Sequence, residues 1–111
     1  MAYDKKLAQR INDALTIINP PVLISKNMFG GIGYMVQGNM ACGILDDKLI
    51  VRVGKDVYEE MLARPGVGLF NSRGHAMTGW VMVEKSTLEE EQMLLNWVER
   101  GVNFALTLPA K

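Results

Sequence analysis

Arg52 carries the strongest chemical signal of any single residue in the sequence. It interrupts the apolar run Leu49-Ile50-Val51-Arg52-Val53, and strand alternation sets it on the face of Ile50, opposite Val51 and Val53. An arginine in mid-strand either lays its stem over an outer face or pairs with a carboxylate or an anionic ligand. A second basic group lies at Asn71-Ser72-Arg73-Gly74-His75. There Arg73, His75 and the hydroxyls of Ser72 and Thr78 make the segment the best small-anion candidate. Arg52, Arg73 and His75 are therefore the candidate ligand contacts, provided that segment 71–79 folds over the strand bearing Arg52. Lys26, similarly placed in an earlier strand, is a weaker candidate.

The remaining reactive residues point to architecture. His75 has no nucleophile or carboxylate beside it to make an acid–base pair. Cys42 lies in the apolar stretch Met40-Ala41-Cys42-Gly43-Ile44 with no neighbouring charge to activate a thiolate, which reads as a core thiol. Gly30-Gly31-Ile32-Gly33 is followed by strand patterning and no Gly-Lys-Ser/Thr, so it reads as a bend between strands and not as a phosphate loop. No H-E-x-x-H, G-x-S-x-G or paired-cysteine pattern occurs. One cysteine and one histidine exclude an internal disulfide and any metal site built from those two residues alone. The expectation is a protein without catalytic residues, metal or cofactor.

The chain has 111 residues, enough for one domain spanning 1–111. Twelve basic residues balance twelve acidic ones, which argues against a whole-surface role on a phosphate backbone or an anionic membrane. The balance is uneven along the chain. Residues 1–55 hold seven basic and four acidic side chains, and residues 56–111 hold five and eight. A mildly basic N-terminal half leaves direct nucleic-acid binding as an alternative. Charged residues break up the first 18 positions, and no apolar run is long enough to cross a bilayer, so the expected location is cytoplasmic.

The elements that must position these residues follow from periodicity. Residues 3–18 place Tyr3, Leu7, Ile11, Ala14, Leu15 and Ile18 on one helical face, and Asn19-Pro20-Pro21 ends the helix. Strands are predicted at Val22–Phe29, Ile32–Gln37, Met40–Leu45 and Lys48–Val53. A two-residue turn at Gly38-Asn39 and another at Asp46-Asp47 make these an antiparallel meander. Asp56–Arg64 is a short helix capped by Asp56 with Glu59. The glycine-rich stretch 66–79 reads as a loop with a short strand near Leu69–Phe70, before a strand over Trp80–Glu84 that starts a few residues earlier. A final helix begins near Ser86-Thr87 in a capping box and runs to about Leu106.

That last helix shows two apolar stripes. Leu88, Leu95, Val98, Val102, Ala105 and Leu106 share one face, while Met93, Trp97 and Phe104 lie nearly opposite. Either the first helix or a second subunit covers Met93, Trp97 and Phe104, which makes them candidate interface residues and a homodimer the expected assembly.

Five ordered blocks resemble the TfoX N-terminal domain family: Met28-Phe29-Gly30-Gly31-Ile32-Gly33, Gly38-Asn39-Met40-Ala41-Cys42-Gly43, Leu49-Ile50-Val51-Arg52-Val53-Gly54, Ala63-Arg64-Pro65-Gly66 and Gly79-Trp80-Val81-Met82-Val83. The resemblance covers nearly the whole chain. It implies an α+β fold of secretion-chaperone-like architecture: helix, antiparallel meander, helix, further strands, and a C-terminal helix packed on the sheet. Named members are bacterial competence regulators acting with the cyclic AMP receptor protein, and they carry a second, helical domain that this chain is expected to lack. The resemblance supplies no catalytic residues. The leading expectation is a small non-enzymatic regulatory or protein-interaction domain.

Overall fold

The computed structural model describes residues 3–28, 30–72 and 74–111. Helix α1 spans Lys5–Ile18. Asp4 stands before it, and its Oδ1 accepts from the amides of Lys6 (2.9 Å) and Leu7 (3.0 Å), satisfying donors that a helix start leaves open. Asn19 ends the helix in the left-handed region, φ 52°, with its amide donating to the Leu15 carbonyl.

Four strands follow: β1 Leu23–Met28, β2 Gly31–Val36, β3 Asn39–Leu45 and β4 Lys48–Arg52. The β2–β3 turn sits at Gln37-Gly38, one residue earlier than the glycine–asparagine pair suggests. Both residues take positive φ (52° and 85°), as a tight hairpin turn requires. Asn39 is thereby released to begin β3. It is 3% exposed and its amide Nδ2 donates to the Pro109 carbonyl (2.9 Å), while the Lys111 amide donates to the Gln37 carbonyl (2.8 Å). The end of the chain is thus fastened to this hairpin.

Helix α2 is shorter than its pattern suggests, Tyr58–Leu62, and Asp56 does not cap it; Val57 takes that position with no side-chain bond. The larger correction concerns 66–79. The stretch forms a hairpin and not a loop, with β5 at Val67–Ser72 and β6 at His75–Val83. A register shift between Leu69 and Asn71 breaks the alternation by which a strand is recognised. Gly74 supplies the turn with φ 81°.

The six strands form one antiparallel sheet in the order β1-β2-β3-β4-β6-β5. A 3-10 turn at Lys85–Leu88 then leads to α3, Glu91–Leu106. The expected capping box is not formed: Thr87 Oγ1 donates back to the Glu84 carbonyl (2.8 Å), and the cap position belongs to Glu90. Both long helices cover one face of the sheet, α3 lying across β3 and β4 with α1 beside it. Tyr34, Cys42, Val51 and Val81, neighbours in register across four strands, face the helices in a single core. The fold is α+β.

The buried stripe of α3 consists of Leu94, Trp97, Val98, Gly101, Val102 and Ala105. It is turned toward Trp97 relative to the stripe that hydrophobic spacing selects, leaving Leu106 exposed at 42%. The cause is Gly101. A Cβ there would meet the Ala41 carbonyl, so α3 touches the sheet along the side of its glycine.

Candidate functional site

Arg52 closes β4 where the chain leaves the sheet. Its cross-strand partner is Trp80 on β6, and its guanidinium carbon lies 5.0 Å from the centre of the Trp80 ring. Phe104, reaching down from α3, presents a second ring to the same guanidinium at 5.5 Å. Phe70 of β5 stands behind Trp80, ring centres 6.3 Å apart and tilted by 50°. Cation–π attraction favours this arrangement, the more so where water is partly excluded. Arg52 is half-buried, and its side chain has no hydrogen bond or ion pair among the described residues. Its five N–H donors are consequently unmatched by acceptors among the described residues.

The backbone that shapes this place is specific. Gly54, at φ 88°, lies under Phe104, and a side chain at Gly54 would collide with that ring. The Val53 and Gly54 amides both donate to the Gly79 carbonyl (2.8 and 3.0 Å), pinning the exit of β4 to β6. Between these segments opens a cleft of about 500 Å³ with Arg52, Lys55, Asp56, Thr78, Trp80 and Phe104 on its walls. Its size falls within the range of small-ligand and side-chain pockets.

Of the three residues proposed from the sequence as ligand contacts, the two that are described, Arg52 and His75, are not brought together. Arg52 is at the cleft. His75 is exposed, at the far end of β6, five positions from Trp80, which is roughly 16 Å of strand. The condition that 71–79 fold over Arg52 therefore fails for His75, because the segment is extended and runs away along the sheet. Arg73 lies outside the described residues. Thr78, named from the sequence with segment 71–79, does reach the cleft, and Lys55 is the polar neighbour that the sequence did not single out. Both flank glycines that make the close approach of β4 and β6, and that pairing is invisible in sequence order.

The candidate interface residues also separate. Trp97 is 4% exposed inside the chain, with the Arg64 guanidinium 5.6 Å from its ring centre. Phe104 is half-buried against Gly54 and Arg52, and Met93 is 38% exposed. For Trp97 and Phe104 the cover thus comes from the end of β4 and the connection between β4 and β5, a third possibility besides the first helix and a second subunit, while Met93 is left exposed. Beside Trp97 a second cleft, lined by Arg64, Asn96 and Arg100, adjoins the first along Val53 and Val57.

Of the other reactive groups, the Cys42 thiol is fully buried and burial pushes its pKa up to about 12. Tyr34, opposite it across β2 and β3, has a buried hydroxyl without a hydrogen-bond partner among the described residues; burial raises its pKa too. Neither group reaches solvent. Among the basic residues of the N-terminal half, Arg10 is committed to Glu91 (2.7 Å) and Lys48 to Asp47 (3.3 Å) and Glu84 (3.8 Å). No group of three or more His, Cys, Asp or Glu residues suited to a metal occurs among the described residues. No helix of the described residues is long and apolar enough to cross a membrane.

A family model, the TfoX N-terminal domain, matches residues 21–105. The chain belongs to the TfoX N-terminal domain family. The matched span runs from just before β1 almost to the end of α3. It therefore contains the whole arginine–aromatic cleft within the TfoX N-terminal domain, while α1 precedes it. Neither the curated proteins nor the solved structures searched contain a match to the chain.

Proposed function

We propose that this TfoX N-terminal domain is a small regulatory, non-enzymatic interaction module that holds an anionic group of a partner protein in the Arg52 cleft. One observation carries the reading. A half-buried guanidinium is seated between Trp80 and Phe104 with none of its donors engaged by another described residue. Such a group is oriented before any ligand arrives, so less rotamer freedom is lost when a carboxylate docks on its fork. Lys55 adds a second positive charge, and the apolar wall of Val53, Trp80 and Phe104 suits the aliphatic part of a side chain.

The test is a nuclear magnetic resonance titration with a short peptide bearing one glutamate. Shifts should concentrate on the Arg52 side chain, Lys55, Trp80 and Phe104, and should vanish in Arg52→Gln. Shifts scattered over the surface, or unchanged in Arg52→Gln, would remove the cleft as the recognition site.

A further inference from the structure

The chain has two tryptophans, and each carries an arginine on its ring: Arg52 on Trp80 and Arg64 on Trp97. Arg64 is exposed, and like Arg52 it has no side-chain hydrogen bond or ion pair among the described residues. The two stacked groups are linked through one helix. Phe104, the second ring against Arg52, lies seven positions after Trp97 on α3, which separates the two seats by about 10 Å along the axis. The clefts beside them share Val53 and Val57 as a common wall.

We infer that these two clefts form one recognition surface for an extended acidic segment of a partner protein, with one carboxylate on Arg52 and a second on Arg64. The inference rests on the reading that the Arg52 cleft binds an anionic group, and adds the partner's chemistry and spacing. Charge supports it: Arg52, Lys55, Arg64 and Arg100 face these clefts against Asp56 and Glu99. Length supports it as well. In a polyproline-type extended chain, residues three apart point to the same side at about 9 Å, close to the rise along α3 between Trp97 and Phe104, the rings on which the two arginines rest. The two residues between them would lie over Val53 and Val57. A nucleic-acid strand fits less well, because each indole that could stack a base already holds a guanidinium, and the chain's net charge is zero.

The two tryptophans also report on the two ends separately. In Trp97→Phe the fluorescence comes from Trp80, and in Trp80→Phe from Trp97. Blocked peptides of sequence Glu-Pro-Pro-Glu, Glu-Pro-Pro-Gln and Gln-Pro-Pro-Gln are titrated into each single-tryptophan protein, with an oligothymidylate as a separate arm. The two-acid peptide should perturb both tryptophans and bind about tenfold or more tighter than the one-acid peptide. That gain should disappear in Arg64→Gln and in Arg64→Lys, changes at an exposed position. Equal binding of the one- and two-acid peptides, with only Trp80 responding, would overturn the two-point surface and leave the single Arg52 site standing. No response to any peptide would overturn both. Oligothymidylate perturbing both tryptophans where the peptides do not would assign the surface to nucleic acid and overturn the inference.

Discussion

Gly101 of α3 rests against the main-chain carbonyl of Ala41 in β3, leaving no room for a side chain between helix and sheet. In an isolated helix, alanine here would be favoured by about 1 kcal/mol. In this fold Gly101→Ala should instead destabilise the domain by about 1–3 kcal/mol, the range for overpacking a tight interior. Chemical denaturation of the two proteins checks it. A stability gain would mean that α3 can lift off β3 without cost.

The seat of Arg52 predicts a stability effect separate from any ligand. Arg52→Ala removes a cation from two rings and the packing of its stem, and should cost about 1–2 kcal/mol. Arg52→Lys should recover only part, since an ammonium lacks the flat face that stacks on an indole. A double-mutant cycle with Trp80→Phe measures the pair term. Additive effects would show that the guanidinium and indole do not interact.

Tyr34 and Cys42 make a paired prediction inside the core. The Tyr34 hydroxyl is buried without a partner among the described residues, so Tyr34→Phe should leave stability unchanged or raise it by up to about 1 kcal/mol. A loss greater than that would reveal a bond to the hydroxyl. Cys42, with its pKa pushed up to about 12, should resist thiol reagents at about pH 8 in the folded protein. Its labelling rate should follow global unfolding across a denaturant series. Labelling that is fast and independent of denaturant would contradict the burial.

Asp4 and Lys85 set a pH window. The Lys85 ammonium, 2.6 Å from Oδ2, and the capped amides of α1 hold the Asp4 carboxyl below its usual 3.8. Its contribution to stability is complete above that value and is lost as pH falls through the lower folded pKa. Lys85 is raised from 10.5 by the same partner, so its contribution holds below 10.5 and is lost as pH rises through the folded value. Asp4→Asn keeps an acceptor for the cap and removes the charge. Its melting temperature should fall below that of the wild type at about pH 6, and the difference should shrink toward about pH 3. Parallel curves would show that the ion pair contributes nothing.

Much of the fold is legible in the sequence because its signals are local. The β2–β3–β4 meander follows from alternation and turn residues, and α1 from its spacing and the prolines behind it. The β5–β6 hairpin was not legible, since the irregularity at Leu69–Asn71 and four glycines erase the strand period. Hydrophobic spacing misplaces the α3 stripe for a related reason: Gly101 carries no hydrophobic weight, yet it marks the line of closest approach. Arg52 stands out because a charge in an apolar strand is a local anomaly. Its true neighbours, Trp80 and Phe104, come from elements 28 and 52 positions away, and no local pattern connects them.

The fastening of α1 has a kinetic consequence. Arg10 Nε donates to Glu91 Oε1 (2.8 Å) and Lys85 Nζ to Asp4 Oδ2 (2.6 Å), each link joining residues 81 positions apart. Neighbouring strands β1 to β4, in contrast, are joined by short turns. Closing a short turn costs far less chain entropy than bringing the two ends of the domain together. The meander can therefore zip from its turns outward, with α1 docking last. Unfolding should begin with the same step in reverse. In hydrogen exchange, the amides of α1 should open before those of β3 and β4, so that the N-terminal helix behaves as the latch of the domain.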